Sequence, residues 1–279
     1  MLLSFDTFTK ERLYLKNVTP KTVRWYWESW RAFQKHLPAG RTLETLTQDD
    51  LNTAVVGLRQ AGVSPTSVNT YARAINAWLK WAGSKLKVPK QQKIQKTLPT
   101  FSPTQVARLV AWPARSKSQQ RIKVLYCLIL DTGLRASEAL GLHTDDVDFD
   151  NLLIKVMGKG QKERLVPMSM ELRKILWRWL QKQQGQYVFA TRTGTHLSLR
   201  NAERDFAKVC KILGITNVRR LLHALRHTFA LNYIRNGGNA FMLQRILGHT
   251  TLEMTRRYVN LQTADLQSRH NQLSALARG

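Results

Sequence analysis

The stretch HALRHTF (His223–Phe229) sets His223, Arg226 and His227 at i, i+3, i+4 spacing, one face of a helix. Leu222, Leu225, Phe229 and Ala230 stand at core-like spacings around them. Arginine is rarely buried without an anionic partner, so either the protein or a ligand supplies one. Other reactive groups recur at marked positions. TGLRASEALGL places Arg135 after Gly133 at the start of a new helix, and GKGQKERLVP carries Lys159 between two glycines. LGHT places His249 after Gly248, and RRYVNL places Tyr258 nine residues later.

Two chemistries compete for this set. His223 and His227 have the spacing of the zinc motif H-E-x-x-H, but Ala224 stands where its glutamate belongs and Arg226 would put a cation between the ligands. The acid run DDVDFD (145–150) reads as a solvated turn before a strand, so no metal is expected. A phosphodiester fits better. Two arginines can clamp its non-bridging oxygens, where charge grows in the transition state, each donor being worth about 3 kcal/mol. A tyrosine hydroxyl can be the nucleophile. Its ordinary pKa of ~10 leaves about one part in a thousand ionised at neutral pH, a deficit of roughly 4 kcal/mol. A histidine base and the arginine field can offset that, and a lysine can protonate the leaving alkoxide. Such a site needs no cofactor.

The chain that must position these groups has 279 residues, 43% hydrophobic, with a formal charge of +26. Bases exceed acids in both parts of the chain, 16 to 6 over residues 1–96 and 28 to 12 over 97–279. An excess so spread acts on association with polyanions, and nucleic acid is the default partner. No apolar run reaches the ~18 residues of a membrane span, and the N-terminus lacks a signal-peptide pattern. The expectation is a cytoplasmic, nucleoid-associated protein with no membrane partner. Cys127 and Cys210 are too few for a disulfide framework and read as buried thiols.

Residues 1–83 read as four helices. Thr19-Pro20, Thr47 and Ser64-Pro65 supply starts, and Gly62 and Gly83 supply stops. Val23, Trp27, Trp30 and Leu37 form one apolar stripe, and Val68, Ala72, Ile75 and Leu79 another. Two polar stripes remain: Lys21, Arg24, Glu28, Arg31 and Lys35, and Thr66, Asn69, Arg73, Asn76 and Lys80. Each is either a solvated face or a DNA-binding one, and the mixture of Asn and Arg in the second can read base edges. Residues 84–101 are rich in lysine, carry Pro89 and Pro99, and have no acid. They read as a basic linker, with Lys87 and Lys90 suited to DNA phosphates. Residues 102–279 read as mainly helical with one small sheet. LLIKVMGKGQKERLVPM is a hairpin, YVFA (187–190) is a candidate strand, and helices are expected at 169–183, 198–213, 222–235, 239–247, 251–260 and 263–277. Arg200 and Arg204 are further DNA-binding candidates.

TGLRASE, GKGQKERLVP, HALRHTFA and LGHTTLEMTRRY occur in that order, and together they resemble the tyrosine recombinase (phage integrase) family, most nearly its Xer-type bacterial members. The resemblance is strong over 102–262 and only general over the four-helix region. It implies a helical core-binding domain (1–83), the linker (84–101) and a mixed α/β catalytic domain (102–279). It implies that Arg135 and Arg226 clamp a scissile phosphate, Lys159 is the general acid and His223 the base or a relay. His249 would donate to the phosphate and Tyr258 attack it. Glu138 would brace the first arginine and His227 buttress the site. It further implies a 3′-phosphotyrosyl link, exchange through a Holliday junction, and a homotetramer on double-stranded DNA with specific recombination sites. The C-terminal stretch 263–279, with Leu266, Leu273 and Leu276 in an apolar stripe, would dock into a neighbouring protomer or pack on its own domain. The four-helix region begins almost at residue 1, so no additional arm-binding domain is expected. A type IB topoisomerase is the nearest rival and would relax supercoils as a monomer. A non-catalytic DNA-binding regulator would have no use for Tyr258 with both arginines.

Overall fold

The computed structural model describes residues 2–92, 98–158, 163–183 and 185–259. The hairpin tip with Lys159 and the whole C-terminal stretch expected as a helix lie outside them. The chain divides into two compact units, Met1–Lys96 and Thr97–Gly279.

The first unit is built from α1 (Leu2–Tyr14), α2 (Pro20–Gln34), α3 (Gln48–Gln60) and α4 (Pro65–Trp81). The expected caps hold: Thr19, Thr47 and Ser64 each accept a hydrogen bond from the backbone N–H three residues on, with proline at the first position of α2 and α4. The core is largely aromatic, with Phe5 stacked on Trp30 at 4.9 Å and Trp30 edge-on to Trp78 at 5.2 Å. The α4 stripe is buried as expected. The α2 stripe is so only at Trp30: the buried face is Tyr26, Ser29, Trp30 and Phe33, while Val23, Trp27 and Leu37 are only half-buried. Ser29 is tolerated inside because its hydroxyl donates to Trp25 O at 2.8 Å.

The segment 84–101, expected as a linker, is packed at both ends. In the first unit Asn76 donates to Val88 O and accepts from Val88 N (3.1 and 2.8 Å). Asn69 does the same to Gln91 (2.8 and 2.8 Å). Each carboxamide thus imitates a neighbouring β-strand. Leu86 and Val88 turn inward while Lys85, Lys87 and Lys90 stay exposed. In the second unit Phe101 is buried and its N–H donates to Thr228 Oγ1 at 2.8 Å.

The second unit contains α5 (Pro103–Ala111), α6 (Lys117–Thr132), α7 (Ala136–Leu140), β1 (Val147–Asp148), β2 (Leu153–Met157), β3 (Glu163–Pro167), α8 (Met170–Leu180), α9 (Leu199–Ile212), α10 (Leu221–Arg235), α11 (Ala240–Leu247) and α12 (Leu252–Val259). The helices match their expected spans to within a few residues. The strands form one antiparallel sheet in the order β1-β2-β3. Ile154 pairs with Val166 and Val156 with Arg164, so the arginine shares the inward face with three buried aliphatics. YVFA is not a strand: Tyr187 and Ala190 make only isolated bridges, to His143 and His196. The acids of DDVDFD serve their own turn. Asp146 accepts from His143 N, and Asp148 from the amides of Asp150 and Asn151. Helix α10 is buried on nearly every side, which explains why polar motif residues have apolar neighbours. Cys127 and Cys210 are buried free thiols, pushed up to about 11 and about 12 by burial.

Each paired carboxamide leaves a backbone N–H and C=O without partners when removed. Asn76→Ala is therefore expected to cost the first unit about 1–3 kcal/mol. Urea unfolding gives the loss, and amide hydrogen exchange should show faster exchange at Val88 and little change at Gln91; Asn69→Ala should reverse that pattern.

Candidate active site

Helix α11 ends at Gly248, whose left-handed backbone (φ +61°) closes the last turn. Three successive carbonyls at this end each receive a different arginine. Arg164 Nε donates to Ile246 O (2.9 Å), an Arg226 terminal nitrogen to Leu247 O (2.8 Å), and an Arg135 terminal nitrogen to Gly248 O (3.2 Å). A helix C-terminus carries roughly half a negative charge, so it draws cations. Arg226 also donates to Gly133 O at the end of α6 (2.7 Å), bridging two helix termini. Gly133 must be glycine, since its φ is +66° and a side chain there would collide with Phe229 and Leu247. Gly248 gives the Arg164 guanidinium room, because a Cβ would lie 3.1 Å from it.

One carboxylate serves this cluster. Glu138 accepts from Arg135 N–H and its side chain (2.9 and 2.7 Å) and from both terminal nitrogens of Arg164 (3.1 and 2.8 Å). Burial alone would raise its pKa; hydrogen bonds from Arg164 and the Arg135 backbone, with the arginine charges, hold it below the usual glutamate range. Three arginines against one carboxylate leave two positive charges uncompensated. Burial, then the charge of Arg135, pulls Arg226 down to about 10, still protonated at neutral pH. The side chain of Arg135 is 35% exposed, whereas Arg226 is buried, so Arg135 offers the open edge of the cluster.

Helix α12 brings the tyrosine. Tyr258 is buried against Ala230, Ile234, Leu243 and Leu247, with its hydroxyl 2.8 Å from His227 Nδ1. Thr255, one turn earlier on α12, lies with its hydroxyl 2.9 Å from His249 Nδ1. His249 is lowered to about 4 by burial and by the neighbouring arginine charges, so it is neutral near pH 7. His223 sits exposed one turn before His227.

The sequence-derived set thus converges for Arg135, Glu138, Arg226, His227, His249 and Tyr258; Lys159 lies outside the described residues. Arg164 and Thr255 were missed. Arg164 had a signal, its two-residue alternation with buried Val166; Thr255 had only its i−3 position from Tyr258. Among the DNA-binding candidates, Arg24, Arg31, Arg73, Lys80, Lys87, Lys90, Arg200 and Arg204 are exposed. Asn69 and Asn76 are corrected: their carboxamides are committed to the backbone of residues 88–91 and are not presented to a ligand.

His249 gives a test of this electrostatic setting. With its folded pKa depressed, the unfolded chain takes up the proton first as pH falls through about 6.5, so folding stability declines until about pH 4. Denaturant unfolding between pH 7 and 4 should therefore show a steeper loss for the wild type than for His249→Asn. A shallower wild-type slope would mean that the histidine is stabilised as a cation.

The phage integrase family matches residues 99–265, and the phage integrase N-terminal SAM-like domain matches 6–86. The tyrosine recombinase XerC of Shewanella amazonensis is 29% identical over 273 residues, covering 92% of this chain and 90% of that protein. XerC of Chlamydia caviae is 34% identical over 178 residues, 61% of this chain and 57% of that protein. In fold, the chain is similar to the Tn1549 transposon integrase in complex with transposon right-end DNA, with a TM-score of 0.80 at 20% identity over 98% of this chain and 99% of that one. It is also similar to the XerH site-specific recombinase bound to difH substrate, with a TM-score of 0.72 at 19% identity over 96% and 83%. With its catalytic unit matched almost end to end, the chain belongs to the phage integrase family, the tyrosine recombinases that cut and rejoin DNA strands.

Proposed function

We propose that Tyr258 attacks a scissile phosphate held by Arg135 and Arg226. The observation that carries this reading is the two uncompensated positive charges of the arginine cluster, set beside helix α12 and its tyrosine. The Tyr258 oxygen bonds to phosphorus as the P–O5′ bond breaks, leaving a 3′-phosphotyrosyl link. The phenol proton passes to the histidines of α10: His227 Nδ1 is in reach, and His223, exposed on the same face, serves as base or relay. Lys159 protonates the departing 5′-oxygen. In the tautomer whose Nδ1 accepts from Thr255, the neutral His249 carries its proton on Nε2 and donates it to a phosphate oxygen. Attack by a partner strand's 5′-hydroxyl then reverses the chemistry, so no bond energy is lost and no cofactor is consumed.

Exposed Arg24, Arg31, Arg73, Lys80, Lys87, Lys90, Arg200 and Arg204 contact the DNA, and the pinning of residues 84–92 on α4 makes Lys87 and Lys90 fixed phosphate contacts. Four protomers act on two specific recombination sites through a Holliday junction, in the cytoplasm on nucleoid DNA. These assignments extend what the resemblance implies.

The test is a nicked suicide substrate in excess EDTA. Wild type should form a covalent adduct there, because arginines supply the charge a metal would supply. Tyr258→Phe should bind the DNA with near-normal affinity and form none. An adduct with the Phe variant moves the nucleophile elsewhere, and loss in EDTA restored by Mg²⁺ revives a metal-dependent nuclease.

For the general acid, Lys159→Ala should slow cleavage by roughly 10²–10⁴-fold. A substrate with sulfur in place of the 5′ bridging oxygen has a leaving group that needs no proton, so it should recover most of that rate. Sulfur rescue of Lys162→Ala but not Lys159→Ala would move the role to Lys162.

A further inference from the structure

Arg164 lies across the sheet from Val156, facing inward, with its side chain 13% exposed. Each of its three guanidinium nitrogens has a partner: Nε donates to Ile246 O, and the two terminal nitrogens to the two oxygens of Glu138. Glu138 is thereby saturated. Oε1 accepts from the side chains of Arg135 and Arg164, and Oε2 from the Arg135 N–H and Arg164. A carboxylate has about four lone-pair sites, and all four are used. The consequence concerns Arg135. Were the Arg164 fork absent, Glu138 would keep its charge in a buried site with two lone pairs empty. The cations still acting on it would be Arg135 and Arg226. A bidentate carboxylate–arginine pair is a strong one, so Glu138 would then compete with phosphate for Arg135.

We infer that Arg164 is a positioning residue, which occupies and neutralises Glu138 so that Arg135 is braced by this carboxylate without being captured by it. The role rests on Arg135 holding the scissile phosphate, as proposed above. It differs from a mere tie between β3 and α11, because it acts through the charge of Glu138. Removal of that charge should then relieve the loss of Arg164.

The experiment measures single-turnover cleavage of the nicked suicide substrate by the full chain, alongside DNA affinity. Arg164→Gln should slow cleavage by about 10- to 100-fold, the usual effect of misplacing a group through its support, with affinity changed by no more than about threefold. Adding Glu138→Gln should recover about tenfold of that rate. Arg164→Lys keeps the charge but loses the two-point fork, so it should fall between wild type and Arg164→Gln. If Arg164→Gln does not fold, Arg164→Lys with and without Glu138→Gln carries the same comparison, and the double variant should be the faster. A double variant no faster than its parent, in whichever pair folds, overturns the inference. Arg135→Ala separates the two readings. If it cleaves at nearly the wild-type rate, the assignment of Arg135 to the phosphate falls. If it is crippled while Arg164→Gln is unimpaired, only the role of Arg164 falls.

Discussion

The catalytic unit depends on the free carbonyls at the end of α11. A helix C-terminus leaves its last carbonyls without intrahelical partners, and a buried one must find donors elsewhere. Here the donors are arginines from β3, from α10 and from the turn before α7. Residues far apart in sequence are thereby fixed on one short stretch of backbone. The arrangement also sets the chemistry. Partial dipole charges and one carboxylate satisfy the geometry of three guanidiniums without cancelling their charge. The packing that completes the fold leaves a positive field for an anion to complete.

That field accounts for how differently the polar groups behave. Arg226 is buried and held by two helix termini, so its position is fixed before any ligand arrives. Arg135 keeps an exposed edge while Glu138 and Gly248 hold its other side. His249, under the same positive charges, stays neutral and so adds nothing to their repulsion. Each role follows from burial and partners, not from residue type alone.

Much of this was legible in the sequence. Helix starts were visible because Ser and Thr caps, two of them followed by proline, act locally, and all three in the first unit hold. The residues that converge on the arginine cluster were legible from their types and their glycine neighbours. What was not legible depends on long-range partners. The phase of α2 was misread because Ser29 and Tyr26 look polar until the carbonyl and rings that receive them are known. Asn69 and Asn76 looked like base readers, since nothing local shows that backbone at 88–91 returns to them. Arg164 was passed over because a charged residue in a strand reads as solvent-facing until the register sets it across from Val156.

The attachment of α12 follows from the same division between charged and neutral contacts. Polar contacts of α12 to the rest of the site include two hydroxyl–imidazole pairs, Tyr258 with His227 and Thr255 with His249. A neutral hydrogen bond of this kind contributes about 0.5–1.5 kcal/mol net, whereas one to a charged group contributes about 1.5–3. The arginine ties belong to the stronger class and the Tyr258–His227 pair to the weaker. On the proposed roles, a phosphodiester entering the cluster would gain charge-assisted bonds from Arg135 and Arg226. The tyrosine hydroxyl would leave its neutral contact with His227 to reach it. That proposal favours a site whose binding half is rigid and whose attacking half can be redirected by the DNA.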